Sequence, residues 1–156
     1  MDLIIKKIID KKEKEIISKE VLYDLPEWFG LPESTEEYIK DSQDKPFLAC
    51  YADNEVAGFI VLNSTSKDTA DIFVMGIKKK FHRMGIGTKL NTEFENMAKN
   101  LGYSYSQVKT VKMGHYKEYD ITNEFYIAMG YKELECFPTL WDEWNPCQIY
   151  IKYLGE

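Results

Sequence analysis

A glycine-containing turn between a predicted strand and a predicted helix limits the possible folds of this chain more than any other segment. The turn reads His82-Arg83-Met84-Gly85-Ile86-Gly87-Thr88. It follows the apolar run 72–77 and opens a helical pattern over 85–100. Since the first N–H groups of a helix lack internal partners, and glycine lets a ligand approach the backbone closely, the segment predicts an anion site. A pyrophosphate is the ligand we expect there.

The remaining pattern predicts a mixed α/β domain. Apolar residues recur at helical spacing after the turn, and Gly102 ends that helix. We expect helices over 11–22, 33–42 and from Asp120 or Thr122 to Gly130, and strands over 3–9, 46–51, 56–63, 69–78, 104–111, 131–137 and 148–154. The residues 138–146 are expected to form a loop. Several hairpins in this order exclude a doubly wound parallel sheet and favour a single domain over 1–156.

Composition narrows the class of partner. The 156 residues carry a formal net charge of -6, which disfavours nucleic acid and suits a cationic substrate. The three cysteines show no CxxC spacing, so we expect reduced core residues in a cytoplasmic protein, and no metal site. No apolar run approaches the roughly 20 residues of a membrane span, and the charged N-terminus does not resemble a signal peptide.

Two common phosphate-binding patterns do not fit the turn. The Walker pattern requires Gly-Lys-Ser/Thr, whereas the order here is Gly87-Thr88-Lys89. The dinucleotide fingerprint requires a third glycine where Leu90 stands. A Gly-x-Gly turn alone leaves a nucleotide-binding protein, or a plain helix-capping turn, as open alternatives.

Two segments together resemble the GNAT superfamily of acyl-coenzyme A-dependent N-acyltransferases. The family's phosphate loop reads Gln/Arg-x-x-Gly-x-Gly/Ala, which Gly85 and Gly87 match, although His82 stands where Gln or Arg is usual. The segment 125–131, Phe-Tyr-Ile-Ala-Met-Gly-Tyr, resembles the family's Leu-Tyr-x-x-x-Gly-Phe segment. The resemblance implies a GNAT-like fold, with a mostly antiparallel sheet of about seven strands and four helices.

The resemblance also implies acetyl-coenzyme A (acetyl-CoA) as the cofactor. Backbone N–H groups of the loop would bind the pyrophosphate, with Arg83 or Lys89 near the 3′-phosphate. The neighbouring strand residues would lie along the pantetheine arm, and the N–H of Met75 would meet the thioester oxygen. The implied cofactor residues are Met75, Gly76, Ile77, His82, Arg83, Met84, Gly85, Ile86, Gly87, Thr88 and Asn123. The run 78–80 of three lysines either faces solvent or attracts the phosphates.

Two residues are candidates for proton transfer. Tyr126 matches the family's general acid, and a phenol with a pKa near 10 can protonate a thiolate of pKa about 8.5. Asp71 is the candidate base, in a position resembling that of a catalytic glutamate in the histone-acetylating branch. Direct transfer from an ammonium to an ordinary Asp is uphill by roughly 9 kcal/mol. Either desolvation raises the pKa of Asp71, or water relays the proton; a core tyrosine and a solvent-facing aspartate are the alternatives.

Two aromatic and acidic segments are candidates for the acceptor-binding wall. They comprise Trp28, Phe29 and Glu33 in the first, and Trp141, Asp142, Glu143 and Trp144 in the second. Such mixtures bind cations through charge pairing and ring faces. Loops anchored by tryptophan, with a solvated acidic edge, are the alternative. His115 either faces this cleft or lies on the surface.

These residues predict an N-acetyltransferase that transfers acetyl from acetyl-CoA directly to a primary amine of a small, cationic acceptor. A non-catalytic acyl-CoA-binding or regulatory module of the same fold is the alternative. Aromatic residues near the C-terminus could form a homodimer interface.

Overall fold

Seven strands and four helices follow one another along residues 1–155, the part of the chain that the computed structural model describes. In chain order they are β1 (Leu3–Ile8), α1 (Lys11–Leu22), α2 (Pro32–Ser42), β2 (Phe47–Ala52), β3 (Glu55–Ser64), β4 (Thr69–Ile77), α3 (Ile86–Asn100), β5 (Tyr105–Val111), α4 (Lys117–Ala128), β6 (Lys132–Asp142) and β7 (Asn145–Tyr153). A short 3₁₀ turn covers Lys79–Phe81.

One seven-stranded sheet contains all of these strands, in the order β1-β2-β3-β4-β5-β7-β6. The pairs β1/β2, β2/β3, β5/β7 and β6/β7 are antiparallel. The predicted mixed α/β class, with about seven strands and four helices, is confirmed within the described residues.

The chain divides into two compact units. The first unit comprises Met1–Asn63 and Ile72–Met97, and the second comprises Ser64–Asp71 and the chain from Ala98 onward. Strand β4 and helix α3 each supply residues to both units. The expected single domain over 1–156 stays a prediction, and its last residue, Glu156, lies outside the described residues.

The core of the first unit packs the apolar face of α1 on strands of the sheet. Asp10 starts α1, because its carboxylate accepts a hydrogen bond from the N–H of Glu13 at 2.9 Å. The side chains that share this core are Ile8, Ile17, Val21, Leu22, Leu25, Ile39, Phe47, Ala49, Phe59, Val61 and Val74. Burial of this apolar face is the main source of the helix's stability in place, since short isolated helices are marginal in water.

Helix α4 begins earlier than predicted. It starts at Lys117 after the N-cap residue Tyr116, which makes no side-chain cap, so the prediction that Asp120 or Thr122 caps the helix is wrong. Asp120 instead lies in the first turn and accepts a hydrogen bond from the N–H of Gly114 at 2.7 Å. The carboxylate therefore holds the preceding loop from inside the helix, near the helix N-terminus where a negative charge is favourable.

The predicted loop over 138–146 is also wrong, because a hairpin occupies most of it. Strand β6 runs to Asp142 and β7 starts at Asn145. The Asp142 carboxylate accepts hydrogen bonds from the N–H of Trp144 and the side-chain amide of Asn145, both at 2.9 Å. Such Asx bonds close a tight turn, which a reading by hydrophobic pattern does not detect. The register shifts between Phe137 and Asp142, and the strand tolerates Pro138 because it lies at the sheet edge.

Candidate functional site

The predicted anion-binding turn lies in the first unit, at the start of α3. Gly85 has a left-handed backbone (φ +78°), and a Cβ added to it would meet nothing within 4 Å. The first helical bond runs from the N–H of Lys89 to the carbonyl of Gly85 at 3.1 Å. The N–H groups of residues 86–88 therefore have no acceptor one helical turn earlier. Exposed backbone at Gly85 and these N–H groups make a surface that fits a phosphate group.

One buried residue and one strained backbone conformation define this turn. Ile86 is 1% exposed, so the first residue of α3 is held in the core while 82–85 stay exposed. Arg83 has a left-handed backbone as well, with φ +64°. For a residue with a Cβ this conformation costs roughly 1–2 kcal/mol, and such strain is often found at functional positions.

His82 binds the end of β4 rather than projecting freely. Its Nε2–H donates to the carbonyl oxygen of Ile77 at 2.7 Å. Its ring also meets Trp28 edge-on, with the centroids 5.9 Å apart. The imidazole thus ties the phosphate loop to the strand before it and to the aromatic segment before α2, a role that the sequence did not reveal.

Each lysine of the run 78–80 forms an ion pair inside the first unit. Lys78 and Lys80 pair with Glu55, and Lys78 also pairs with Glu20. The Nζ of Lys79 lies 2.8 Å from a carboxylate oxygen of Glu27. Carboxylates of the chain itself therefore hold these ammonium groups. Arg83 of the loop and Lys89 of α3 have no ion pair at salt-bridge distance within the described residues 1–155.

The end of β4, which is expected to lie along the pantetheine arm, packs tightly against α1 and β3. Gly76 is buried, and a Cβ there would lie 3.0 Å from Val21 and 3.1 Å from Leu25 of α1. A Cβ at Gly58 would lie 2.7 Å from the carbonyl oxygen of Gly76. Neighbouring elements of the first unit therefore leave little room for a side chain at either glycine. Met75 and Ile77 are partly buried.

An acidic cavity of about 230 Å³ lies beside α2, within the first unit. Its lining consists of Ser34, Glu37, Tyr38, Asp41 and Phe73. Of the acidic residues on α2, the sequence predicts a role for Glu33 but not for Glu37 and Asp41. The spacing of four residues places all three carboxylates on one helix face.

A cation from the same unit already meets the aromatic floor of this cavity. The Nζ of Lys45 lies 4.5 Å from the Phe73 ring centroid and donates to the carbonyl oxygen of Asp41 at 2.9 Å. The contact is a cation–π arrangement, in which the negative face of the ring attracts the ammonium. Lys45 therefore already occupies a face of the Phe73 ring, and the negative charge of the cavity comes from Glu37 and Asp41.

The predicted acceptor-wall residues divide between the two units. Trp28 and Phe29 are half-buried against the core of the first unit, and Glu33 is exposed on α2. Trp141, Asp142 and Glu143 belong to the β6–β7 hairpin of the second unit, where Trp141 is 44% and Trp144 70% exposed. The carboxylate of Asp142 is engaged in the hairpin turn. Binding of an acceptor by these residues stays a prediction.

Asp71 lies buried in the second unit, at 5% exposure, and not on a solvent-facing position. The side-chain amide of Gln107 donates to its Oδ1 at 3.1 Å, and the Nζ of Lys109 lies 3.9 Å from the same oxygen. Burial raises the pKa of the Asp71 carboxyl, while Lys109 and the Gln107 hydrogen bond partly oppose that rise. Desolvation thus moves this carboxyl in the direction that a general base for an amine requires.

Tyr126 is 4% exposed on α4, in the same unit. Its ring meets Phe125 and Tyr131 edge-on, with centroids 5.1 and 5.6 Å away. Burial raises the pKa of its phenol, and the charge of Asp71 raises it further. The phenol therefore stays protonated, but it becomes a weaker acid than a solvated tyrosine.

Asn123 forms part of a buried polar network. Its Nδ2 donates to the carbonyl oxygens of Val111 at 2.8 Å and Tyr119 at 2.6 Å, and its Oδ1 accepts from the Tyr150 hydroxyl at 2.6 Å. These bonds join α4 to β5 and β7, so the amide already has structural partners. Its contact with a cofactor stays a prediction.

The structure also defines the surroundings of the cysteines and of His115. Cys50 and Cys147 are buried and Cys136 is half-buried, and burial raises the pKa of the Cys147 thiol to about 11. His115 is exposed. Of the helices formed by residues 1–155, none combines the length and apolar character needed to cross a bilayer.

The family comparison matches both segments that carry the sequence resemblance. The model of the Acetyltransferase (GNAT) family aligns with residues 16–131, which include the phosphate loop and the Tyr126 segment. The chain belongs to the GNAT acetyltransferase family.

One relative and two solved structures resemble this chain. An uncharacterized N-acetyltransferase of Methanocaldococcus jannaschii is 26% identical over 106 residues, which span 68% of this chain and 65% of that relative's own length. The solved structure of a GNAT-family protein from Desulfovibrio desulfuricans superposes with a TM-score of 0.84 at 14% identity, covering 99% of this chain and 100% of that one. An aminoglycoside 6′-N-acetyltransferase complexed with coenzyme A gives a TM-score of 0.74 at 16% identity, covering 98% of each chain. The two structures share the GNAT fold with this chain.

Proposed function

We propose that this GNAT protein transfers an acetyl group from acetyl-CoA to a primary amine of a small cationic acceptor, in the cytoplasm. The observation that carries the proposal is the exposed loop 82–85 at the start of α3, with its left-handed Gly85 and unpaired helix N–H groups. Solved GNAT neighbours that contain coenzyme A or acetyl-CoA support the choice of cofactor. Three free cysteines support a reducing compartment.

Residues of the first unit suit the binding of acetyl-CoA. The N–H groups from Arg83 to Thr88 would bind the pyrophosphate, and the open space at Gly85 leaves room for its oxygens. Arg83 and Lys89 would add positive charge. The backbone of Met75 to Ile77 would pair with the amide-bearing arm. When bound, acetyl-CoA supplies an activated acetyl thioester.

Two residues of the second unit would move the protons. Asp71 first takes one proton from the ammonium, which frees the nitrogen lone pair to form the new C–N bond at the thioester carbon. As the C–S bond then breaks, the Tyr126 hydroxyl gives its proton to the departing sulfur and regains one from the acylated nitrogen, which loses its second proton in this way. The raised pKa of Asp71 reduces the uphill step from an ammonium. The raised pKa of Tyr126 opposes its role unless the sulfur is desolvated too, because burial also raises the pKa of a thiol.

Acidic and aromatic side chains support a cationic acceptor. The α2 face with Glu33, Glu37 and Asp41 carries three carboxylates that suit a positively charged ligand, and the Tyr38 ring lines the same cavity as Glu37 and Asp41. An aminoglycoside acetyltransferase among the structural neighbours supports a small polyamine-like acceptor.

An amine panel tests this function directly. Acetyl-CoA consumption is measured with polyamines, aminoglycosides, amino sugars and peptide amines, and we expect turnover with at least one multiply charged amine. Glu37→Gln and Asp41→Asn should each raise the acceptor KM about three- to tenfold, as expected for a lost charged partner, with the acetyl-CoA KM unchanged. Tight coenzyme A binding without turnover of any amine would overturn the proposal.

Complete burial of the Tyr126 ring favours a second candidate, a non-catalytic acyl-CoA-binding module of the same fold. Tyr126→Phe separates the two candidates, since it keeps the ring packing and removes the hydroxyl. An enzyme should lose about 100-fold in kcat or more, with little change in coenzyme A affinity. A binding module should show no change in any ligand response.

A second copy of this chain is the partner that we propose for strand β6. This edge strand exposes Leu134, Phe137, Leu140 and Trp141. Long apolar edge strands favour association with another chain. An antiparallel pairing centred on Phe137 would set Lys132 opposite Asp142 of the second copy. Leu134→Glu should convert a dimer to a monomer, as measured by light scattering. Leu31→Glu, at another exposed leucine, is the control and should leave the dimer intact. A monomeric wild-type protein would refute the pairing.

A further inference from the structure

Two side chains of one strand converge on the carboxylate of Asp71. Gln107 and Lys109 lie two positions apart on β5, and therefore on the same face of the sheet. The Gln107 Nε2–H donates to Asp71 Oδ1 at 3.1 Å, and the Lys109 Nζ lies 3.9 Å from that oxygen. The Asp71 side chain is 7% exposed and that of Lys109 is 33% exposed. Both contacts end on Oδ1.

Other titratable groups that act on Asp71 are uncharged at neutral pH. Tyr126 of α4 and Cys147 of β7 both interact electrostatically with it. Burial raises the pKa of each of them, to about 11 for the Cys147 thiol. Among the described residues acting on Asp71, Lys109 is therefore the one that carries a charge in the working pH range.

The two oxygens of the Asp71 carboxylate have different contacts, since Gln107 and Lys109 both approach Oδ1. A hydrogen bond at 3.1 Å fixes Oδ1, while a cation at 3.9 Å is too far for the strongest charge-assisted bond, which needs about 2.7–2.9 Å. Lys109 thus favours the ionised carboxylate without locking it into a tight ion pair that would abolish its basicity.

We propose that Gln107 and Lys109 are positioning residues, which hold Oδ1 of Asp71 and keep the carboxylate ionised so that Oδ2 receives the proton of the acceptor ammonium. This inference rests on the proposed function, in which Asp71 is the base.

The pH profile of kcat/KM, with spermidine as the acceptor probe, tests the inference. Lys109→Met removes the opposing cation, so the pKa of Asp71 rises and the acidic limb should move up by about half to one pH unit. Lys109→Arg should restore the limb. Gln107→Met should move the limb upward as well and reduce the plateau kcat about tenfold, because Oδ1 loses its donor. Lys112→Met is the matched control, since it removes one exposed charge and should not move the limb.

Asp71→Asn distinguishes failure of this inference from failure of the proposed base. If Asp71→Asn keeps the acidic limb, Asp71 is not the base and the proposed proton chemistry fails. If it removes the limb but Lys109→Met and Gln107→Met leave the wild-type limb in place, the positioning roles fail and the proposed function stands.

A second measurement does not depend on turnover. NMR titration of isotope-labelled aspartate, in folded protein with coenzyme A and no acceptor, should report a higher pKa for Asp71 in Lys109→Met than in the wild type. Circular dichroism checks that each variant is folded. An Asp71 titration identical in wild type, Lys109→Met and Gln107→Met would overturn the inference.

Discussion

At the scale of single residues, burial decides the chemistry of the proposed acid and base. Asp71 and Tyr126 are 5% and 4% exposed, and desolvation raises the pKa of both groups. For Asp71 this shift serves the proposed role, whereas for Tyr126 it makes proton donation harder. The role of His82 also depends on its neighbours. Its contacts with Ile77 and Trp28 hold the loop to the end of β4 and to the segment before α2.

We expect Asp71→Asn to stabilise the folded protein at neutral pH. The folded-state pKa of Asp71 is raised, so its stabilising contribution is complete below the unfolded pKa and is lost as pH rises through the folded pKa. The variant should therefore show a higher midpoint of urea unfolding than the wild type at pH about 7.5, and the difference should vanish near pH about 3. A lower midpoint at neutral pH would contradict this expectation.

His82→Gln should leave coenzyme A affinity unchanged or improved, as measured by calorimetric titration. The glutamine amide can donate to the Ile77 carbonyl as the imidazole does, because both side chains carry an N–H donor. His82→Leu, which lacks a donor, should weaken coenzyme A binding about three- to tenfold through loss of that bond. Equal losses in both variants would show that the imidazole ring itself has a further role.

At the scale of elements, close backbone packing positions the strand that precedes the phosphate loop. Gly58 of β3 faces the carbonyl of Gly76 on β4, and Gly76 faces the side chains of α1. The lysines of 78–80 then bind carboxylates of α1, the β2–β3 hairpin and the segment after α1. The loop is held from both ends, so its backbone is fixed in advance for the anion that the proposed function places there.

Gly58→Ala should destabilise the protein more than Gly76→Ala. The new Cβ at Gly58 would lie 2.7 Å from a backbone oxygen, whereas the one at Gly76 would meet methyl groups of the Val21 and Leu25 side chains at 3.0 and 3.1 Å. We expect losses of more than about 3 kcal/mol and of about 1–2 kcal/mol respectively in the free energy of unfolding. Chemical denaturation measures both values, and the reverse order would show that β3 can shift away from β4.

At the scale of the whole molecule, binding of a ligand should raise the melting temperature of the protein. Only a ligand that binds the folded chain more tightly than the unfolded chain raises the melting temperature. The acetyltransferase proposal predicts coenzyme A as that ligand, while the Gly-x-Gly turn taken alone also allowed a nucleotide.

Thermal unfolding with each ligand decides between them. Coenzyme A at about 100 times its Kd should stabilise the protein by about 2.7 kcal/mol, which corresponds to roughly 5–11 °C for a chain of this size. ATP at the same concentration should have a much smaller effect. Protection by ATP without protection by coenzyme A would restore the nucleotide-binding alternative.

Much of the fold, and the elements around the glycine turn, could be predicted from local sequence. Helix α1 has the predicted bounds, and the strand, glycine turn and helix around Gly85 follow from short-range periodicity and backbone preference. The hairpin turn at Asp142 and the start of α4 were missed, because their side-chain hydrogen bonds outweigh the hydrophobic pattern. Glu37 and Asp41 carried a helical spacing in the sequence, but their cavity depends on Phe73 from a distant strand.

From the sequence alone, the motif resemblance implied the GNAT fold, and local periodicity placed the glycine turn before a helix, because motifs and periodicity are read along the chain. Folding then fixed what the polar residues do. Asp71 becomes a desolvated carboxylate held by Gln107 and Lys109, and the lysines of 78–80 become structural ion pairs. The physical reason is that a pKa, a hydrogen bond or an ion pair depends on neighbours in space, which only folding brings together.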